Sequence, residues 1–127
     1  MKSTYLKSLV LGLSLLFLSS GGLVSDFWPQ PVLEQEKVLG LARELNNEGV
    51  KLYQNLRLEE ALANFVLAAE IDHDFWQGHY NCAVVLGAMG KTQEALHHLE
   101  LSLKVNPHNA MAFELYRELL NEASRAV

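Results

Sequence analysis

One stretch of this chain is written twice. Displaced by 34 residues, Asn47 falls on Asn81, Val50 on Val84, Leu52 on Leu86, Leu67 on Leu101, and the run Glu60-Ala61-Leu62 on Glu94-Ala95-Leu96. Where identity lapses, character survives: Phe65 meets Leu99, Ala68 meets Ser102, Ile71 meets Val105 and Asp72 meets Asn106. A repeat of this length restricts the fold sharply. Each copy is one supersecondary unit that cannot bury its apolar side alone, so the copies must stack and share a core.

The better-marked copy, Trp76 to Asn109, reads as a helical hairpin. Tyr80, Cys82-Ala83, Leu86 and Met89 recur at helical spacing, and Gly90 ends the helix where a left-handed backbone costs least. After a turn at Lys91-Thr92, a second helix shows Ala95, Leu96, Leu99, Ser102 and Leu103 on one side. It stops before Asn106-Pro107, because proline disfavours a helical residue ahead of it. Ala95, and Ala61 in the other copy, are small where two helices must approach closely.

In the earlier copy, a helix is predicted to begin near Val32, with Glu34 and Glu36 favourable in its first turn. Its stripe of Val38, Leu41-Ala42, Leu45, Gly49 and Leu52 outlasts one ordinary repeat helix, and Gly40 allows a kink or a separate short helix. Leu56-Arg57-Leu58 makes the turn without a glycine. Glu59 to Ile71 is the partner helix, with Ala61, Leu62, Phe65, Ala68 and Ala69 facing inward. From Ala110 a third unit starts and is not completed. Ala112, Phe113, Tyr116, Leu119-Leu120 and Ala123 form its apolar stripe, opposite polar Glu114, Arg117, Glu118, Asn121, Glu122 and Arg125. A lone amphipathic helix is unstable, so this one is expected to cap the array and turn its polar side to water.

The period, the small residues at Ala61, Ala68, Ala83 and Ala95, the turn glycine Gly90 and the late Pro107 resemble the tetratricopeptide repeat. Departures are His79, where a large apolar residue is usual, and Glu48 and Cys82, where leucine is. The resemblance implies an all-α helical-hairpin solenoid of two repeats, residues 42–75 and 76–109, plus a capping helix over 110–127, within a domain spanning 32–127. It also implies a non-catalytic scaffold or adaptor that binds a protein or peptide partner in a groove lined by the first helix of each hairpin. Carried over by position, that lining is Asn46, Val50, Tyr53 and Gln54, then Gln77, Tyr80, Asn81 and Val84, then Met111, Glu114 and Glu118. Family members that hold a chaperone tail grip its terminal carboxylate with Lys, Arg and Asn. Here only Asn81 matches, while Val50, Met111 and Leu115 stand at the other clamp positions, so the expected occupant is an apolar segment with a basic end.

The N-terminus reads as an export signal. Lys2 and Lys7 precede an apolar run from Leu9 to Leu18, and Ser19-Ser20-Gly21-Gly22 follows, which places a leader over 1–22 with cleavage after Gly21 or Gly22. The alternative is an uncleaved anchor over Leu9–Val24, whose 16 residues are short of the roughly 20 that span a bilayer. Either way the basic end stays cytoplasmic and the repeats cross, to a periplasmic or extracellular location, and the membrane is met only through this segment. No cysteine follows the leader to carry a lipid. Residues 23–31, with Pro29 and Pro31, form an extended linker in which Phe27 and Trp28 pack locally.

Charge excludes one class of partner. From Leu23 onward the chain has 8 basic against 15 acidic residues, a surface that repels phosphate backbones, so nucleic acid is not expected. Cys82 is alone and reads as a small buried hydrophobe. His73, His79, His97, His98 and His108 read as surface residues, because His97 and His98 point about 100° apart and neither has a partner one helical turn away. No metal, cofactor or catalytic grouping is expected. The competing role is a membrane-anchored structural subunit or assembly factor of an envelope complex, and a homo-oligomer stacked through the N-terminal helix would also complete the core.

Overall fold

The chain, seen in a computed structural model, is described over residues 31–126. The leader and the linker up to residue 30 lie outside the described residues, whereas Pro31, expected in the linker, is already helical.

Five helices follow in order: α1 Pro31–Gln54, α2 Leu58–Ile71, α3 Trp76–Ala88, α4 Thr92–Val105 and α5 Ala110–Arg125. Among the described residues there is no strand. The helix α1 is continuous through Gly40, with Glu34 in its first turn and Lys51 in its last, both favourable against the macrodipole. No separate short helix forms there, because the surrounding helix formers outweigh one glycine, which costs about 1 kcal/mol.

The duplication is geometric as well as textual. Helices α2 and α4 start 34 residues apart, as do α3 and α5. The closing turns also superpose. After α1, the Leu56 N–H donates to the Tyr53 carbonyl and the Arg57 N–H to the Leu52 carbonyl, and after α3, Gly90 and Lys91 donate to Gly87 and Leu86 in the same pattern. Each is a Schellman closure, which needs a left-handed residue just past the helix. Gly90 supplies it at φ 76, and Leu56 supplies it at φ 60. A side chain therefore occupies the conformation that glycine takes in the next hairpin. The far bends match too: Phe75 donates to the Asp72 carbonyl as Asn109 does to that of Asn106.

Neighbouring helices pack in sequence, α2 on α3, α3 on α4 and α4 on α5. The core consists of Leu52, Ala61, Phe65, Cys82, Ala83, Val85, Leu86, Ala95, Leu96, Leu99, Ala112 and Leu119. Ala61 and Ala95 are fully buried, so the close approach expected at these two positions is present. Gly78 makes a further one: a side-chain carbon there would lie 3.1 Å from the backbone nitrogen of Ala69. Ser102, at the repeat position of Ala68, is also fully buried, and its hydroxyl donates to the Trp76 carbonyl at 3.1 Å. This satisfies a polar group that would otherwise be costly inside.

The last helix departs from expectation. Ala112 and Leu119 are buried, and Tyr116 donates to the Glu100 carboxylate on α4. But Phe113 and Leu120 are 59% and 46% exposed. The stripe is wider than the surface α4 offers, so α5 covers the second hairpin and leaves part of its own apolar face open. Among the described residues no helix is long and apolar enough to cross a membrane.

Candidate functional site

The face carried by α1, α3 and α5 is built from positions that helical spacing places on one side of each helix. Asn46, Val50, Tyr53 and Gln54 lie on α1; Gln77, Tyr80, Asn81 and Val84 on α3; Met111, Glu114 and Glu118 on α5. A displacement of 34 brings Asn46 to Tyr80 to Glu114, and Val50 to Val84 to Glu118, so the face changes from apolar and neutral to acidic along the array.

One contact joins two of these helices directly. The Asn81 side-chain amide donates to the Asn46 side-chain carbonyl at 2.7 Å, half-buried, between α1 and α3. Tyr53 and Tyr80 are half-buried against the core. Val50 and Met111 are 37% and 58% exposed. Gln54, Glu114 and Glu118 are exposed, and Gln77 and Val84 half-buried. Among the described residues no hydrogen bond or ion pair ties Met111, Glu114 or Glu118 to the other members. Lys51 pairs with Glu48 one turn away on its own helix.

Two other groups carry chemistry. Cys82 is fully buried in the shared core, and burial pushes its thiol up to about 12, which leaves it a packing residue rather than a nucleophile. His79 on α3 and His98 on α4 are not the surface residues expected from sequence. Both are half-buried and face each other, with Nδ1 atoms 3.3 Å apart and ring centroids 5.6 Å apart. Burial lowers the pKa of both, and the neighbouring histidines lower it further. The approach of His79 to His98 is not foreseen in the sequence, where both read as surface residues. The signal was a polar residue at a position whose counterpart in the first hairpin is Leu45. Among the described residues no three His, Cys, Asp or Glu side chains are grouped as a metal site.

No protein-family model matches the chain. A search of curated proteins finds no relative. Among solved structures the chain is similar to the first TPR of Spaghetti (RPAP3) bound to an HSP90 peptide, SRMEEVD. The two share 15% identity over 67% of this chain and 94% of that one, with a TM-score of 0.45.

Proposed function

We propose that the chain is a non-catalytic scaffold, exported across a membrane, that holds an extended or helical segment of a partner protein on the face of α1, α3 and α5. The observation that carries this is the Asn46–Asn81 bond at 2.7 Å. It locks two first helices side by side, so that the exposed Val50 lies one helical turn from an ordered polar pair. The occupant has an apolar strip for Val50, Met111, Tyr53 and Tyr80, and a basic end for Glu114 and Glu118. Electrostatic pairing of this kind sets orientation and on-rate more than affinity. A terminal carboxylate does not suit it, since Val50, Met111 and Leu115 offer no cation.

Crosslinking pull-down from envelope fractions tests this with Val50→Glu and Met111→Glu, which alter exposed side chains and leave the core intact. Loss of one shared partner from both variants supports the face. Retention of every partner by both overturns it. Mass analysis of the N-terminus tests export separately: removal of the first 21 or 22 residues supports a cleaved leader, and an intact Met1 favours an anchor.

The uncovered apolar surface favours a second reading, a subunit or assembly factor of one obligate envelope complex. Val38, Leu39 and Leu41 on α1, and Phe113 and Leu120 on α5, are all more than a third exposed. If this holds, Phe113→Ser and Leu120→Ser disrupt the complex while the Val50 and Met111 variants do not.

A further inference from the structure

The His79–His98 pair is an addition to the repeat rather than part of it. Its counterparts in the first hairpin are Leu45 and Asn64, and the Asn64 amide donates to the Glu60 carbonyl on its own helix rather than across the hairpin. A hairpin of this fold therefore closes at this level without histidine. Among the described residues the imidazole contact is the only hydrogen bond between side chains that joins α3 to α4.

The chemistry of that bond makes it conditional on protonation. The Nδ1–H of one ring donates to the bare Nδ1 of the other, so one of the two nitrogens must lack a proton. Two neutral rings meet that condition. One added proton meets it as well, because an imidazolium donor strengthens the bond to its neutral partner. A second proton does not. Each Nδ1 then carries hydrogen, the two donors face each other 3.3 Å apart, and two like charges share a half-buried place where water screens them poorly. A contact that joins the helices becomes one that pushes them apart.

We propose that His79 and His98 form an acid-released latch on the second hairpin, which holds α3 to α4 while the pair carries at most one proton and loosens when both rings are charged. The surroundings do not favour the doubly charged pair. Burial opposes charge on both rings first, then His73 in the bend before α3 and His97 on α4, while only Glu94, one turn earlier on α4, favours it at His98. Asp74 and Lys104 line the hollow beside His79 with opposite charges. No charged side chain of α1, α2 or α5 bears on either ring. Opened rings take their protons near the ordinary 6.5, and the closed pair lags behind by at least one. The folded value is the depressed one, so the latch holds fully above that pH and weakens as pH falls below it. For each proton that the closed pair lacks, the opening equilibrium rises by up to about tenfold per pH unit. The device acts in the mildly acidic range where histidine alone changes its ordinary charge.

Amide hydrogen exchange of the full chain between about pH 7.5 and 5.5, corrected for the intrinsic pH dependence of exchange, reads the opening of α3 and α4 directly. In the parent that opening is expected to rise by about tenfold per pH unit below about 6.5. His79→Leu and His98→Asn install the residues of the first hairpin, and each is expected to flatten the rise, while His108→Ala, on the bend after α4, keeps it. A readout that needs no variant is the nitrogen NMR of the histidine rings. At neutral pH one Nδ1 of the pair is protonated and the other bare, and on acidification the two rings titrate in separate steps, the second at lower pH than His108. In His98→Asn the ring of His79 titrates in a single step. Opening of α3 and α4 that does not rise in acid, a rise that survives both substitutions, or two rings that titrate together with His108 would each overturn the latch and leave a plain structural hydrogen bond.

Discussion

A left-handed backbone costs an L-residue about 1–2 kcal/mol, and Leu56 carries that cost at φ 60. Its side chain is 83% exposed, so little burial offsets the strain. Leu56→Gly is therefore expected to stabilise the fold by about 0.5–1 kcal/mol, after the extra freedom glycine gives the unfolded chain. Gly90→Ala, at the same repeat position, is expected to destabilise it by about 1 kcal/mol. Urea midpoints of the two variants check both signs. Cys82 makes a second prediction at this scale, through its proton. The unfolded thiol ionises near its ordinary 9.0, while burial holds the folded one protonated up to about 12. The folded pKa is raised, so the native state keeps a proton that the unfolded state loses. Stability is intact below pH 9 and declines as pH rises through that window, by at most about 1.4 kcal/mol per pH unit. Comparing the pH dependence of the urea midpoint for the parent and for Cys82→Ala isolates the slope. The variant starts lower because it loses packing, but its curve is flatter. In the native chain a thiol reagent reaches Cys82 only through unfolding, and equal labelling rates for native and denatured protein would contradict the burial.

Within α1 one substitution has opposite signs at two places. Gly40 has open space where a side-chain carbon would go, so Gly40→Ala is expected to add about 1 kcal/mol of helix propensity. At Gly49 that carbon would lie 2.7 Å from the ring of Phe65, which is itself 2% exposed in the core. Overpacking of this kind costs about 1–3 kcal/mol, so Gly49→Ala is expected to be destabilising despite the better propensity. Thermal melts of both variants decide it, and a stabilising Gly49→Ala would mean that the ring of Phe65 is free to shift. Much at this scale could be read from the chain. Helix ends at Ile71 and Val105 follow from the residues that stop them, and the burial of Ala61 and Ala95 follows from their recurrence. What periodicity could not supply was backbone proximity. Gly78 sits on α3 without any mark in the apolar pattern, and only its 3.1 Å approach to Ala69 explains why it is glycine. Likewise the turn at Leu56 has no glycine in the sequence to mark its type. It is the same turn made under strain, with the same hydrogen bonds from Leu56 and Arg57 and a left-handed Leu56.

At the scale of the whole array, repeat position and environment come apart at the ends. The positions proposed for the face of α1, α3 and α5 come from counting residues, but the bond between Asn46 and Asn81 could not be found that way. Displacement by 34 pairs Asn46 with Tyr80 and Asn47 with Asn81, whereas the hydrogen bond joins Asn46 to Asn81 across the columns. The C-terminal end shows the same limit more strongly. Leu86 and Leu120 are one period apart and identical in type, yet Leu86 is 2% exposed, packed in the shared core, and Leu120 is 46% exposed on α5. Leu86 is part of the core that α3 shares with the buried side chains of α4, whereas α5 is the last described helix and has no such partner at Leu120 among the described residues. Leu86→Ala is thus expected to cost about 2–5 kcal/mol, the range for a buried leucine whose surroundings relax only in part. Leu120→Ala should stay within about 0.5 kcal/mol in the isolated chain, as surface substitutions do. Denaturant titrations at two protein concentrations separate the causes. A Leu120→Ala cost above 1 kcal/mol that grows with concentration would show that the open face is buried between copies of the chain. A cost of the same size that does not grow would mean that α5 packs more deeply than described.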